Sequence, residues 1–80
     1  MTHEERKALG ARIRQYRGFR CLTQEQLAQA AGTTRKTINL IENGNKQPNL
    51  DMLLGICRTL EISTDELLDQ SRQPRLVVSS

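Results

Sequence analysis

Residues 23–44 read TQEQLAQAAGTTRKTINLIENG, and this stretch decides the fold. Each half has the pattern of a short helix, because apolar residues recur at helical spacing and threonines with capping side chains open both halves. Between the halves stands Gly32, whose missing Cβ suits the left-handed turn that ends a helix. The stretch therefore predicts two short helices joined by a tight glycine turn.

The second of these helices has two chemically different sides. Ile38 and Ile41 fall on one side, whereas Arg35, Lys36 and Asn39 fall on the other. Three long or amide-bearing side chains on a short helix form an ordinary solvated surface in many proteins. They can also contact a partner, and the rest of the chain has to decide between these two interpretations.

The composition limits the classes of protein to consider. With 80 residues, of which 36% are hydrophobic and 26% charged, the chain fits one small domain. No apolar run is long enough for a membrane span or a signal peptide, so a cytoplasmic protein is expected. Cys21 and Cys57 lack the spacing of zinc ligands and are expected to be free thiols, so no metal or cofactor is predicted.

The residues present also argue against two functions, binding of single-stranded nucleic acid and catalysis. The chain has one Tyr and one Phe, which argues against a stacking surface for single-stranded nucleic acid. No acid, base and nucleophile fall together in a recognisable catalytic motif, so the chain is not expected to be an enzyme.

The net charge of +3 conceals an uneven distribution along the chain. Residues 6–46 contain nine Lys or Arg against two Glu, a net of +7, whereas residues 47–71 contain one Arg against five acids, a net of −4. This asymmetry favours a polyanionic partner approached from one side. Lopsided charge also occurs on proteins without such a partner, so the observation is weak by itself.

Helical periodicity predicts an all-α fold of five helices, with a domain at 1–69 and a tail at 70–80. The first helix, over about 2–17, carries the apolar stripe Leu9, Ile13 and Tyr16, and a connector at 18–22 follows. The second opens at Thr23 and the third at Thr33 or Thr34, ending near 43–44. The tail, which contains a proline, is expected to be disordered or a short strand.

The last two helices supply most of the remaining apolar residues. Asn49 is the expected cap of the fourth helix, whose apolar residues cover most of its circumference and predict a central place in the core. Ser63 and Glu66 form a capping-box pattern at the start of the fifth helix, which contributes Leu67 and Leu68.

Two short helices joined by a glycine turn outline a helix-turn-helix, whose second helix enters the major groove of DNA. The sequence of residues 9–68 resembles the phage-repressor and Cro-type helix-turn-helix family, also called the XRE family. The resemblance covers four runs: LGARIRQYR at 9–17, TQEQLAQAAG at 23–32, TTRKTINLIENG at 33–44 and QPNLDMLLGICRTLEISTDELL at 47–68.

The resemblance implies a role for each matching residue. The positions that reach base edges in this family are here Arg35, Lys36, Asn39 and Leu40. The positions that contact phosphates are Thr23, Gln24, Thr34, Asn43 and Lys46. Arg17 and Glu42 correspond to a largely buried ion pair between the first and third helices. The residues alone leave open two alternatives, a superficial Arg17–Glu42 pair and a merely solvated Gln24.

The resemblance also implies a function. We expect a sequence-specific transcriptional regulator, either a repressor or a controller protein, that binds double-stranded DNA at a palindromic operator as a homodimer. The expected dimer surface is the fourth and fifth helices with Leu67, Leu68 and residues 76–78. The alternative is an antitoxin-type interaction module that binds a protein partner through the tail at 70–80 and also binds its own promoter.

Two positions depart from the family pattern, because Cys21 and Glu61 stand where the family usually has glycine. A left-handed backbone costs a residue with a Cβ about 1 kcal/mol. We therefore expect the first connector to adopt a different geometry that uses Gly18.

Overall fold

The computed structural model describes residues 1–68, which form five helices and no strand. The helices are α1 (His3–Phe19), α2 (Gln24–Ala31), α3 (Arg35–Glu42), α4 (Leu50–Leu60) and α5 (Thr64–Leu68). The all-α, five-helix prediction is confirmed. The predicted domain end at 69 and the tail at 70–80 lie outside the described residues.

The helix starts follow the capping signals in the sequence. At α2, the Thr23 side chain accepts the Gln26 backbone N–H at 3.0 Å, and the Gln26 side chain accepts the Thr23 N–H at 2.8 Å. Thr34 caps α3, Asn49 caps α4 by accepting the Met52 N–H at 2.8 Å, and Ser63 accepts the first-turn N–H of α5. These bonds satisfy backbone donors that have no partner inside the helix.

The ends of α1 to α4 share one geometry. In each, a left-handed residue follows the helix, and the next residue donates its N–H back to a carbonyl five positions earlier, at 2.8–3.1 Å. This is the Schellman arrangement, which satisfies carbonyls left over at a helix end. The left-handed residues are Gly32 (φ 77°), Gly44 (φ 79°), Cys21 (φ 58°) and Glu61 (φ 59°).

The expectation that the first connector would relax through Gly18 is therefore wrong. Gly18 lies inside α1, which continues to Phe19 rather than ending at 17. Cys21 keeps the left-handed conformation despite its Cβ, because the bond from the Leu22 N–H to the Arg17 carbonyl (3.1 Å) depends on it. Glu61 does the same after α4.

The core lies where α3 packs on α1 and α2, where α4 packs on α2, and where α5 packs on α1 and α4. It comprises ten buried residues: Leu9, Ile13, Leu27, Ala28, Ile38, Ile41, Ile56, Cys57, Leu60 and Leu67. Helix α1 approaches α3 closely at Gly10, where a Cβ would overlap the carbonyl oxygens of Ile41 and Glu42.

Both cysteines are free thiols, and burial raises the pKa of the Cys57 thiol. No helix within residues 1–68 is long and apolar enough to cross a membrane.

Helix α4 is less central than its apolar content predicts. Leu50 is 68% exposed and Leu54 is 41% exposed, and they lie one turn apart on the same side of the helix. On α5 the expected dimer surface is wrong in one residue, since Leu67 is fully buried and only Leu68 is exposed. The large exposed apolar side chains of the described residues thus include Leu50 and Leu54 on α4 and Leu68 on α5, besides Phe19 at the end of α1 and Met1.

Replacing Cys21 by glycine should stabilise the protein. Cys21→Gly removes the Cβ from a left-handed position and should raise the free energy of unfolding by about 1 kcal/mol, measured by chemical denaturation. The control is Cys21→Ala, which also removes the thiol but keeps the Cβ, and should leave the midpoint nearly unchanged. Equal stabilisation by both variants would mean that the thiol, and not the backbone, is unfavourable.

Candidate nucleic-acid interface

The outer side of α3 is an exposed polar surface. Ile38 and Ile41 are buried and hold the helix against the core, so the opposite side of the helix faces outward. Arg35, Lys36 and Asn39 are exposed and line one open depression of about 350 Å³. Because α3 has no acidic residue in its first turn, both cations and the helix N-terminus contribute positive potential there.

Residues at the helix starts lie beside this surface, because α2 packs on α3. The Thr23 hydroxyl is occupied in the cap of α2, and Thr34 accepts the Thr37 N–H at 3.2 Å and donates its own hydroxyl to Thr37 at 3.0 Å. Backbone N–H groups at a helix start favour an anion. The start of α2 attracts an anion less strongly than the start of α3, because the carboxylate of Glu25 lies in its first turn.

Arg17 and Glu42 form a close, poorly exposed ion pair. Arg17 Nε donates to Glu42 Oε2 at 2.7 Å and its Nη2 donates to Oε1 at 3.1 Å, and the side chains are 17% and 2% exposed. The third guanidinium nitrogen, Nη1, donates to the Leu22 carbonyl at 2.8 Å. The pair therefore ties α3 to α1 and to the connector that leads into α2.

Three amide side chains continue from this ion pair toward the outer side of α3. Gln24 Nε2 donates to Glu42 Oε1 at 3.0 Å, Asn39 Nδ2 donates to Gln24 Oε1 at 3.5 Å, and Asn43 Nδ2 donates to Asn39 Oδ1 at 3.2 Å. The family resemblance assigned Asn39 to base edges and both Gln24 and Asn43 to phosphates, and it did not predict that the three residues contact one another. The pairing of Asn39 with Asn43 was readable from their four-residue spacing on a helix. The bonds to Gln24 join residues 18 and 15 positions apart and had no local signal.

The loop after α3 is held by Arg6, a residue for which the sequence pattern indicated no role. Arg6 Nε donates to the Gly44 carbonyl at 3.4 Å across 38 positions of sequence. Lys46, two residues further on, is exposed. The loop that carries Lys46 is thus held against α1, next to Asn43. Leu40 is only half-buried and lies beside the exposed surface of α3.

The family model and the related sequences that match this chain all describe helix-turn-helix proteins. A family described as a helix-turn-helix domain matches residues 10–71. HTH-type transcriptional regulator YazB of Bacillus subtilis (strain 168) is 36% identical over 63 residues, covering 79% of this chain and 91% of YazB. An HTH-type transcriptional regulator of Methanothermobacter thermautotrophicus is 44% identical over 48 residues, covering 60% of this chain and 70% of its own length.

Solved structures with the same fold are also regulators. The clp gene regulator ClgR from Corynebacterium glutamicum superposes with a TM-score of 0.78 at 29% identity, over 81% of this chain and 69% of ClgR. The restriction-modification controller protein C.AhdI from Aeromonas hydrophila superposes with a TM-score of 0.78 at 29% identity, over 81% of this chain and 94% of C.AhdI.

The Arg17–Glu42 pair should be important for stability. Glu42→Ala leaves the guanidinium of Arg17 without its charged partner and should lower the free energy of unfolding by about 3–5 kcal/mol. Chemical denaturation followed by circular dichroism measures this change.

The chain offers a matched control at a second ion pair. Glu61 lies 3.5 Å from Arg20 Nη2, and these side chains are 69% and 43% exposed. Glu61→Ala keeps the Cβ and should cost less than about 1 kcal/mol, as exposed pairs do. Similar losses for Glu42→Ala and Glu61→Ala would show that burial adds nothing to the Arg17–Glu42 pair.

Proposed function

Since this chain belongs to the helix-turn-helix domain family of XRE-type transcriptional regulators, we propose that it binds a specific palindromic operator in double-stranded DNA as a homodimer. The observation that carries the proposal is the outer side of α3, where three exposed side chains able to read bases surround one depression. The regulator would act in the cytoplasm on DNA as a repressor or a controller protein, without catalysis.

Base reading is assigned to the exposed residues of α3. Arg35 and Lys36 can donate to guanine O6 and N7, and Asn39 can make a paired contact with N6 and N7 of adenine. Leu40, at the margin of this surface, is suited to contact a thymine methyl group. This assignment takes the outer side of α3 as the recognition surface rather than as solvated surface.

Phosphate binding is assigned to residues around the recognition helix. They are two helix-start threonines, two amides and one lysine: Thr23, Thr34, Gln24, Asn43 and Lys46. Backbone N–H groups at the helix starts favour phosphate oxygens, and Lys46 supplies a positive charge. Three cations of the basic segment 6–46 are exposed on α3 and the loop after it, and they support attraction of DNA to this side of the molecule: Arg35, Lys36 and Lys46.

Dimerisation is proposed because one small domain buries little surface on DNA. A single module contacts about 600–1,000 Å² of protein surface, so useful affinity favours two copies on one site. The exposed leucines of the described residues, Leu50 and Leu54 on α4 and Leu68 on α5, supply the apolar surface for this contact.

A controller role has one specific support. The similarity to the restriction-modification controller protein C.AhdI extends over 94% of that protein, so this chain has the fold of nearly all of it. The antitoxin alternative depends on the segment 70–80, which lies outside the described residues, and no contact within residues 1–68 favours it.

Substitutions on α3 should separate base reading from phosphate binding. Arg35→Ala and Asn39→Ala should each lower affinity for the operator by about 1–3 kcal/mol and leave binding to a scrambled duplex nearly intact. Lys46→Ala should weaken both duplexes alike and reduce the slope of log affinity against log salt by about 1. Titrations by fluorescence anisotropy at several salt concentrations measure both quantities.

The matched control for Arg35 is Arg58→Ala, which removes an exposed arginine from the acidic segment 47–71. It should change neither affinity nor salt slope. If Arg35→Ala and Asn39→Ala weakened operator and scrambled duplexes equally, α3 would be contacting only the DNA backbone and the assignment of base reading would fail.

The homodimer should be visible in solution and on DNA. Sedimentation of the wild-type protein should show a dimer that binds a palindrome with half-sites about 34 Å apart, one helical turn of DNA. Leu54→Glu places a charge on the exposed side of α4 and should shift the protein to monomer, whereas Glu61→Ala should not. A wild-type monomer at high concentration that binds singly to an asymmetric site would contradict the dimer.

A further inference from the structure

A row of hydrogen-bonded amides connects the buried carboxylate of Glu42 to the exposed side of α3. The row runs through Gln24, Asn39 and Asn43, with donor–acceptor distances of 3.0, 3.5 and 3.2 Å. We propose that Glu42 and Gln24 are positioning residues for DNA reading, because together they fix the direction in which Asn39 presents its amide. The proposal rests on the proposed function, in which Asn39 contacts a base edge.

The direction of the hydrogen bonds is set first by Glu42, because its carboxylate can only accept. Its carboxylate, 2% exposed, is paired with Arg17, and a carboxylate in such a pair has only acceptor atoms. Glu42 Oε1 takes one N–H from Arg17 Nη2 at 3.1 Å and a second from Gln24 Nε2 at 3.0 Å. Gln24 must therefore turn its NH₂ group toward Glu42, since its own carbonyl oxygen would be repelled there.

The second step carries this direction outward. With its NH₂ group on Glu42, Gln24 presents its carbonyl oxygen to Asn39, and this oxygen can only accept. Asn39 must then point its NH₂ group at Gln24 and its Oδ1 at Asn43, whose Nδ2 donates to it. An amide can take either orientation by shape alone, because its oxygen and nitrogen are similar in size. The asymmetry of the row comes from the carboxylate at its inner end.

The consequence concerns the hydrogen-bonding capacity that Asn39 has left. After these contacts it keeps one N–H and one acceptor lone pair, and the side chain is exposed. That combination matches adenine, which offers the N7 acceptor and the N6 donor in the major groove, and it does not match guanine, which offers two acceptors. Because the amide is already held in the free protein, less side-chain freedom is lost when DNA binds.

This role can be distinguished from a simple phosphate contact by Gln24. A phosphate contact carries no sequence information, so its loss weakens all duplexes alike. A positioning role predicts in addition that loss of Gln24 reduces the preference for adenine at the base pair that Asn39 contacts. The two roles therefore differ in the ratio of two affinities, whatever the absolute loss.

The test uses Gln24→Met, which keeps the length of the side chain and removes its donor and acceptor. Affinity is measured by fluorescence anisotropy for the operator and for the same duplex with guanine replacing the adenine identified by Asn39→Ala. Gln24→Met should lower the adenine-to-guanine affinity ratio about tenfold, the scale of one paired base contact. In the Asn39→Ala background the same substitution should leave the ratio unchanged.

The matched control is Gln29→Met, which replaces an exposed glutamine on the same helix and should leave the ratio at its wild-type value. An unchanged ratio in Gln24→Met, or an equal fall with and without Asn39, would overturn the positioning role. Glu42 is tested through Gln24 because Glu42 variants are expected to destabilise the fold.

A measurement on the free protein separates failure of this proposal from failure of the proposed function. The side-chain amide resonances of Asn39 in an NMR spectrum should shift in Gln24→Met and not in Gln29→Met. Resonances that do not respond to Gln24→Met would overturn the amide row even if operator binding holds. If the Asn39 resonances shift in Gln24→Met but the wild-type protein binds no duplex in preference to another, the proposed function would be overturned, and with it the DNA role of the row.

Discussion

The ion pair between Glu42 and Arg17 is the contact on which the rest of the structure depends. A carboxylate that is 2% exposed is stable only when its charge and its lone pairs are satisfied. Here the partners come from α1 and α2, and Arg17 also holds the connector through the Leu22 carbonyl. The last residue of α3 therefore fixes α3 relative to both preceding helices, which sets the angle at which its outer side meets solvent.

Two arginines in α1 and one directly after it have a different role from the one that net charge suggests. Arg12 donates to the Leu67 carbonyl at 2.6 Å and Arg20 donates to the Leu60 carbonyl at 3.0 Å, so they satisfy carbonyls at the ends of α5 and α4. With Arg17, three of the nine cations in residues 6–46 hold helices together. The charge of +7 therefore overstates what this side can offer to phosphates. The remaining cations include Arg35 and Lys36 on α3 and Lys46 in the following loop.

Four helix ends in this fold require a residue in the left-handed conformation, but only two of these positions are occupied by glycine. Cys21 and Glu61 adopt this conformation although their Cβ atoms make it strained. The strain is offset because the N–H groups of Leu22 and Ile62 donate at 3.1 Å to carbonyls that would otherwise lack partners. Short loops follow from this geometry. Because the loops are short, α3 can be held firmly on α2 while its outer side stays free of other elements.

The sequence by itself determined the helices and the chemical character of α3, because capping bonds span three residues and apolar periodicity spans about four. Thr23 and Asn49 could thus be identified as helix starts, and the start of α3 could be narrowed to Thr33 or Thr34. The outward placement of Arg35, Lys36 and Asn39 followed from the inward placement of Ile38 and Ile41. The family resemblance added the expected pairing of Arg17 with Glu42. Most of the fold and the membership of the candidate interface were therefore predictable.

The tertiary structure decided what depends on contacts between distant residues. Periodicity marks a residue as apolar but not which neighbour covers it, so the exposure of Leu50 and Leu54 and the burial of Leu67 could not be read from the pattern. The left-handed turn at Cys21 contradicted a local preference, since the bonds it makes possible outweigh its strain. The row from Glu42 through Gln24 to Asn39 joins residues on two helices, and its direction is set by a carboxylate whose burial exists only once the chain has folded.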